Sequence, residues 1–454
     1  MKQLAALIAM LCLCCFAAQP AAAQSILRDA ETEALLADIS KPIIVAAGLD
    51  PASVRVVMIQ DPSINAFVAG GQIVYIHSGL IDAADDANEV QGVIAHELGH
   101  VVGGHAVFQR DGGYGGVSIL SLLLGAAAVA AGSPDAGMGI LMAGQRAAIG
   151  KYLAFSRGQE ASADAAGVRF LNKAGISGRG MLEFFKKLEN LQYRYGVYSS
   201  DPDVDPFAQT HPMSADRIAT LTQDLTAAPA WSKRDTPEML DRFKRIQAKL
   251  RGYVNEPKDT LRTYPPRDQS VYAHYARAYA YHKGGFPEQA AAETDALIKA
   301  KPDDPYFLEL QGQIMLEAGD PKGALVPLRK ATEETHYQPL IATTFGHALV
   351  ATEDPANLAE AEKVLKQAVA RDNENPFAWF NLGTVYERKG DEPRTALATA
   401  ERANLMGDAG TALMSSRAAM AGLPTGSPDW IRAQDIMMVS QTAYEEQKKK
   451  GGRR

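Results

Sequence analysis

The chain has 454 residues, of which 46% are hydrophobic and 22% are charged. This is an ordinary globular composition, and it excludes a collagen-like chain, a fully disordered chain and a polytopic membrane protein. The formal net charge is −7, so the charge balance gives no support for nucleic-acid binding. At about 100–200 residues per domain, the length predicts two to four domains.

The first 23 residues have the features of a secretory signal peptide. Lys2 supplies a positive charge, residues 4–18 form an apolar run, and residues 21–23 are three alanines that suit signal cleavage. All three cysteines of the chain lie in this segment. We therefore expect an exported protein whose mature part holds no thiol, so a metal site in it must use histidine and carboxylate ligands.

The next part of the chain mixes helical and strand-like patterns. Ser25 to Ile44 is predicted to be a helix, because its large apolar residues share one face. Val54 to Ile59 is predicted to be a strand, and Asn65 to Ile76 to be two short strands joined at Gly70-Gly71. A second helix is predicted from about Asn88 to Ala106.

A long apolar segment rich in alanine and glycine covers residues 112–143. Residues 112–134 carry no charge. Two interpretations remain open, a buried helical hairpin or lid and a segment that contacts the membrane surface.

The second half of the chain repeats with the period of tetratricopeptide units, about 34 residues. Segments such as Phe307–Gly312, Ala342–Gly346 and Trp379–Gly383 are each followed by evenly spaced small residues. The pattern resembles tetratricopeptide repeats over residues 268–425. A stack of such units forms a concave surface for extended peptide or protein partners. The alternative is a plain helical array packed on the first domain.

The main chemical signal is His96-Glu-Leu-Gly-His100. Residues four apart on a helix lie on the same side, so both imidazoles can bind one Zn²⁺. Glu97 lies beside them, where it can take a proton from the water that the metal activates. A third protein ligand is needed, because catalytic zinc sites usually have three.

Two candidates follow for the third ligand. His105 is five residues after His100, which on a continuous helix turns it off the metal face, so we interpret it as a packed histidine or one that supports a ligand. Glu160 is the better candidate, and Asp164 shares its helix face. Asp164 can accept the free ring N–H of a zinc histidine, which fixes the tautomer and raises the basicity of the ligand.

These motifs occur in an order that resembles zinc metallopeptidases of the HtpX/BepA type. They are Asn65-Ala-Phe, the hairpin, His96–His100, Ser156–Asp164 and Thr210–Ile218. With a signal peptide before them and repeats after them, the chain most resembles the periplasmic BepA-like branch. The resemblance implies an α+β gluzincin-type peptidase domain followed by an all-α tetratricopeptide-repeat solenoid.

The resemblance also implies one Zn²⁺ per chain, with His96, His100 and Glu160 as ligands and Glu97 as base. His211 either stabilises the oxyanion or occupies the open zinc position and holds the enzyme idle, and we slightly prefer the second role. Arg217 either stabilises developing negative charge or pairs with Asp164. The strand around Gln72–Ile76 could pair with an extended substrate.

The predicted function is cleavage of misfolded or stalled envelope proteins by an exported endopeptidase. Its repeats would dock clients or the machinery that assembles outer-membrane proteins. The alternative is a repeat-based periplasmic chaperone or adaptor whose zinc site is latent or structural. The predicted organisation is a signal peptide (1–23), a peptidase domain (24–230), a helical linker (231–267), the repeats (268–425) and a C-terminal helix with a basic tail (426–454).

Overall fold

The computed structural model describes residues 25–105, 157–195, 211 and 213–451. The predicted signal peptide and the apolar segment at 112–143 lie outside the described residues. The chain divides into two compact units, the first made of Met1–Leu27 and Ile39–Asp235 and the second of Arg28–Asp38 and Thr236–Arg454. The predicted domain boundaries stay predictions. Among the described residues, no helix combines the length and the apolar character that crossing a membrane needs.

The first unit holds a sheet of four strands in the order β1-β2-β4-β3. β1 pairs antiparallel with β2, β2 pairs parallel with β4, and β4 pairs antiparallel with β3. The strand bounds are β1 (Ser25–Leu27), β2 (Arg55–Gln60), β3 (Ala66–Ala69) and β4 (Ile73–His77).

The predicted strand and hairpin are confirmed. β2 lies within one residue of the predicted bounds. The turn between β3 and β4 contains Gly70 and Gly71 with φ values of +63° and +96°. Glycine adopts such values without steric cost, which explains why a tight turn forms at this point.

Two expectations about this region are wrong. Ser25 to Leu27 do not continue a helix but form β1, because their backbone pairs with β2. The helix α1 (Ala30–Ala46) begins later, where the Asp29 carboxylate accepts the backbone N–H of Thr32 at 2.8 Å. β4 cannot accept a substrate strand, because it is hydrogen-bonded on both sides, and β3 is the edge strand instead.

Among the described residues, five further helices belong to the first unit, and they carry most of the candidate site. They are α2 (Ser78–Ala83), α3 (Ala87–Gly103), α4 (residues 157–174), α5 (Arg179–Tyr195) and α6 (Ala215–Thr226). The Asp86 side chain caps α3 by accepting the Glu89 N–H at 3.0 Å. α3 ends at Gly103, three residues before the predicted end, because Gly104 is left-handed with φ +66°.

Glycines let α3 approach its neighbours closely. A Cβ atom on Gly99 would lie 2.6 Å from the backbone oxygen of Ala163 on α4. A Cβ atom on Gly92 would lie 2.4 Å from the Cα atom of Met181 on α5. The contact at Gly99 therefore brings the helix with His96 and His100 against the helix with Glu160.

The second unit is a stack of helices in which consecutive helices pack in pairs. Glycines on the first helix of a pair accept side chains of the second, as Gly312 does for Leu328 and Gly346 for Leu365. Pro339 and Pro376 each begin a helix, so they separate successive pairs. Its helices are α7 (Pro237–Val254), α8 (Pro257–Thr263), α9 (Val271–Lys283), α10 (Pro287–Ala300), α11 (Pro305–Glu317), α12 (Pro321–Glu334), α13 (Pro339–Ala351), α14 (Leu358–Arg371), α15 (Pro376–Arg388), α16 (Glu392–Leu405), α17 (Ala409–Gly422) and α18 (Pro428–Gly451).

A buried ionic cluster joins the segment Arg28–Asp38 to the helices of the second unit. Arg245 on α7 lies between Glu31, at 2.8 Å, and Asp304, at 2.6 Å. The Tyr275 hydroxyl donates to Glu31 at 2.7 Å. Lys249 pairs with Asp29 one turn further along α7. Because these charges are buried, each depends on its partners to offset the cost of leaving water.

We expect Arg245→Met to destabilise the second unit by about 3–5 kcal/mol, because Asp304 would lose its buried cation and Glu31 would keep only Lys249, whose nitrogen lies 3.6 Å away. Urea denaturation measures the change. Arg242→Met is the matched control on the same helix, since the Arg242–Asp38 pair is exposed, and it should cost less than about 1 kcal/mol. Equal midpoints for the two variants would contradict this account.

Candidate metal centre

Two histidines of α3 form the middle of the candidate site. His96 and His100 are one helical turn apart, and both are buried. Their Nε2 atoms lie 3.1 Å from each other. The sequence places them on one side of the helix, and the structure turns the same ring nitrogen of each toward a common point.

Glu160 and His211 reach that point from other parts of the chain. The Glu160 carboxylate on α4 lies 3.4 Å from Nε2 of His96 and 3.3 Å from Nε2 of His100. His211 lies ahead of α6, and its Nδ1 atom is 3.1 Å from both Glu160 oxygens and 3.4 Å from Nε2 of His96. One donor atom from each of these four residues lies within 4.8 Å of the other three.

These separations suit a tetrahedral zinc ion. Zinc binds nitrogen and oxygen at about 2.0–2.2 Å, so the ligand atoms of a tetrahedral site lie roughly 3.3 Å apart. The pairs given above lie 3.1–3.4 Å apart. Three imidazoles and one carboxylate are also a ligand set that zinc accepts. The four residues therefore fit Zn²⁺ in chemistry, and five of their six donor pairs fit it in spacing, with the set as a whole lying within 4.8 Å.

Asp164 and Arg217 support the cluster from the side. Asp164 Oδ1 lies 2.9 Å from Nδ1 of His96. Arg217 on α6 donates two hydrogen bonds to Asp164, at 2.7 and 2.8 Å, and its third nitrogen lies 3.1 Å from Glu160. The structure thus brings Arg217 to Asp164, which was one of its two predicted roles.

Burial and charge pairing oppose each other in this cluster. Burial would lower the pKa of His96, but the carboxylates of Asp164 and Glu160 outweigh it and raise that pKa to about 10. Burial would raise the pKa of Glu160, but contacts with His100, His211 and His96 hold that pKa far below its usual value. The pKa of Asp164 is likewise lowered, against burial, by His96 and Arg217. Both carboxylates are thus ionised at neutral pH, which suits the binding of a cation.

Glu97 is buried beside the ligands but is not one of the four clustered donors. Its Oε1 atom lies 3.6 Å from Nε2 of His211 and has no hydrogen-bond partner among the described residues. A buried carboxylate oxygen without a partner is uncommon and is typical of functional sites.

His105 lies outside the four-donor cluster, but it contacts one of the donors. Its Nδ1 atom is 2.8 Å from Nδ1 of His100. The prediction that it points off the metal face assumed a continuous helix, whereas α3 ends before it. The roles predicted for the site residues stay predictions, although the structure brings all of them together.

Sequence analysis missed Phe185. Its buried ring on α5 meets the His96 ring edge-on, with centroids 5.4 Å apart, and the Arg217 guanidinium lies 5.8 Å from its centroid. Phe185 therefore fixes the back of the His96 ring and shields it from water. Only its place on the apolar face of α5 could have suggested this, and that face does not distinguish it from other core residues.

The chain was compared with known proteins. A model described as Peptidase family M48 matches residues 30–224, and a tetratricopeptide repeat model matches residues 275–339 and 345–412. Metalloprotease YcaL of Escherichia coli (strain K12) is 31% identical over 187 residues, which cover 41% of this chain and 69% of YcaL.

Longer relatives carry a more specific name. Beta-barrel assembly-enhancing protease of Yersinia pestis is 25% identical over 402 residues, which cover 83% of this chain and 76% of that protein. A Vibrio cholerae protein that is provisionally given the same name is 28% identical over 262 residues, which cover 56% of this chain and 52% of the relative. The chain thus spans about half the length of that relative.

Fold, site and comparisons together define a metallopeptidase. The chain belongs to peptidase family M48, and it carries tetratricopeptide repeats after its peptidase region. The predicted fold class, a small-sheet peptidase domain followed by an all-helical repeat solenoid, is confirmed.

We expect zinc affinity to rise by about tenfold per pH unit between pH 7 and 9. In the metal-free protein, the His96 ring is doubly protonated below its pKa of about 10. Zinc must displace one of these two protons to bind. Chelator competition at several pH values measures the slope. In Asp164→Asn the slope should flatten above pH 7, because the carboxylate that raises the His96 pKa is gone. Equal slopes in the two proteins would contradict this explanation.

Proposed function

We propose that the chain is an exported zinc endopeptidase that cleaves misfolded or stalled proteins of the cell envelope. The observation that carries the proposal is the buried set of four donors at tetrahedral spacing, with Glu97 beside it. His96, His100 and Glu160 would hold one Zn²⁺. When bound, the metal polarises the scissile carbonyl and lowers the pKa of coordinated water to about 7.

Glu97 would act as the general base and then as the general acid. Its Oε1 atom has no hydrogen-bond partner in the part of the chain that the structure describes, so it is placed to take a proton from the attacking water. The same carboxyl can then pass this proton to the leaving amine, so the base is restored at the end of the reaction. Burial keeps solvent from competing for the carboxylate.

The substrate would bind along β3. This strand is at the edge of the sheet, and the helix α3 packs against it, so a peptide added to β3 runs beside the candidate metal centre. Strand addition requires an extended peptide with free backbone groups. A folded protein offers few such segments, which favours misfolded or incompletely assembled substrates.

The names of the relatives support a place in outer-membrane protein assembly. Two relatives that match this chain are called beta-barrel assembly-enhancing protease, one of them provisionally. We propose that the repeats dock clients or the assembly machinery and that the protein works in the periplasm, after removal of the predicted signal peptide. For residues 112–143, the two predicted roles, a lid and a contact with the membrane surface, both remain predictions.

His211 would hold the enzyme idle between substrates. Its Nδ1 atom lies 3.4 Å from Nε2 of His96 and 3.1 Å from Glu160, so it would fill the position that catalysis must leave open for water. Displacement of His211 would open the site. A blocked position protects the other proteins of the same compartment from cleavage.

One observation favours a second function. Four protein ligands are typical of structural zinc sites, whereas catalytic sites have three and an open position. A chain with His211 fixed in place would therefore be a repeat-based chaperone or adaptor with a latent or structural zinc site.

Glu97→Gln separates the two functions. We expect cleavage of casein or of an unfolded outer-membrane protein to fall by at least about a hundredfold, because the base is lost, with zinc content unchanged. The control is Glu183→Gln. Glu183 forms a partly exposed ion pair with Arg179 on α5, and this variant should cleave normally. Full cleavage by Glu97→Gln would contradict the mechanism, whereas lost cleavage with intact support of barrel assembly in cells would show that binding acts independently.

His211→Ala tests the idle state. We expect cleavage to increase severalfold, because the fourth position opens while three ligands remain to hold the zinc. A cleavage assay together with the zinc content of each sample measures both effects. Lower cleavage at unchanged zinc content would instead assign His211 to the oxyanion.

A further inference from the structure

The chain turns back sharply immediately after the helix that carries His96 and His100. Gly104 has φ +66° and ψ 20°, and its N–H bonds to the carbonyl oxygens of His100 and Val101. This left-handed residue ends α3. The next residue, His105, is thereby folded back toward the last turn of the helix.

The last residue of the helix leaves room for the His105 ring. A Cβ atom on Gly103 would lie 2.4 Å from Nε2 and 2.8 Å from Cε1 of His105. Any side chain at this position would displace the ring. The two consecutive glycines thus have different roles. Gly104 adopts the left-handed conformation that ends α3, and Gly103 has no side chain that would displace the His105 ring.

The ring placed in this way contacts the far side of His100. Nδ1 of His105 lies 2.8 Å from Nδ1 of His100, and the two rings meet at 74° with centroids 4.9 Å apart. The other ring nitrogen of His100, Nε2, faces His96 and Glu160. His100 therefore has one nitrogen for the metal and one for His105.

We propose that His105 is a positioning residue for the zinc ligand His100, an inference that rests on the proposed metal site. Nδ1–H of His100 donates to Nδ1 of His105, so the lone pair of His100 is held on Nε2, where the metal binds. The contact also fixes the rotation of the His100 ring. His105 does for His100 what Asp164 does for His96, with a neutral ring in place of a carboxylate.

The test measures Zn²⁺ affinity of the full chain by chelator competition. His105→Ala should bind zinc about 10–100-fold more weakly than the wild type, the usual effect of losing a group that holds a ligand. His105→Asn should recover most of the affinity, because its side-chain oxygen can stand where Nδ1 of the histidine stood. Gly103→Ala should weaken binding as His105→Ala does, because its methyl group displaces the ring.

Controls separate this role from a general loss of structure. His282→Ala, a histidine of the second unit that pairs with Glu317, should bind zinc as the wild type does. The visible spectrum of the Co²⁺-loaded protein should change in His105→Ala and return in His105→Asn. If wild-type protein binds zinc and His105→Ala binds it within about twofold, or if His105→Asn is as weak as His105→Ala, this inference is overturned while the proposed function stands. If the wild type binds no zinc, both are overturned.

Discussion

The structure of the peptidase unit depends on gathering charged and polar side chains in a place without water. Glu160 and Asp164 are buried on one face of α4, and an isolated buried carboxylate is strongly unfavourable. His96 and Arg217 offset that cost from opposite sides. The same arrangement that makes the burial tolerable also collects donor atoms for a cation.

Close helix packing makes this gathering possible. The absence of a side chain at Gly99 lets α3 lie directly on α4, so that donors from the two helices reach 3.3–3.4 Å. Phe185 closes the site behind His96. Among the described residues, β3 lies at an edge of the small sheet and next to α3, where the proposed substrate strand would bind.

Local patterns in the sequence predicted the parts of the fold that local interactions determine. His96 with His100, and Glu160 with Asp164, are spaced four residues apart on helices, and the hairpin is marked by two glycines. The strand order was not predictable, because pairing between distant strands leaves no local pattern, and β4 was therefore mistaken for an edge. β1 was mistaken for a helix, because the two apolar residues of this short segment suit either structure.

The remaining site residues needed different information. His211 follows no spacing rule relative to His96, so only the resemblance to a known family pointed to it. The place of His105 depends on the left-handed Gly104, which a continuous helix does not include, although its contact with Nδ1 of His100 agrees with the predicted support of a ligand. Phe185 looks like any core aromatic residue, so only the folded structure shows that it contacts His96.

The central claim is that His96, His100, Glu160 and His211 form one zinc site. X-ray absorption of the zinc-loaded chain, read together with its metal content, tests it most directly. We predict one zinc per chain, bound to nitrogen and oxygen atoms at about 2.0–2.2 Å with imidazole scattering and no sulfur, and weaker zinc binding with an altered spectrum in Glu160→Gln, which removes the one carboxylate ligand. Zinc bound with full stoichiometry and an unchanged spectrum in Glu160→Gln would contradict the account.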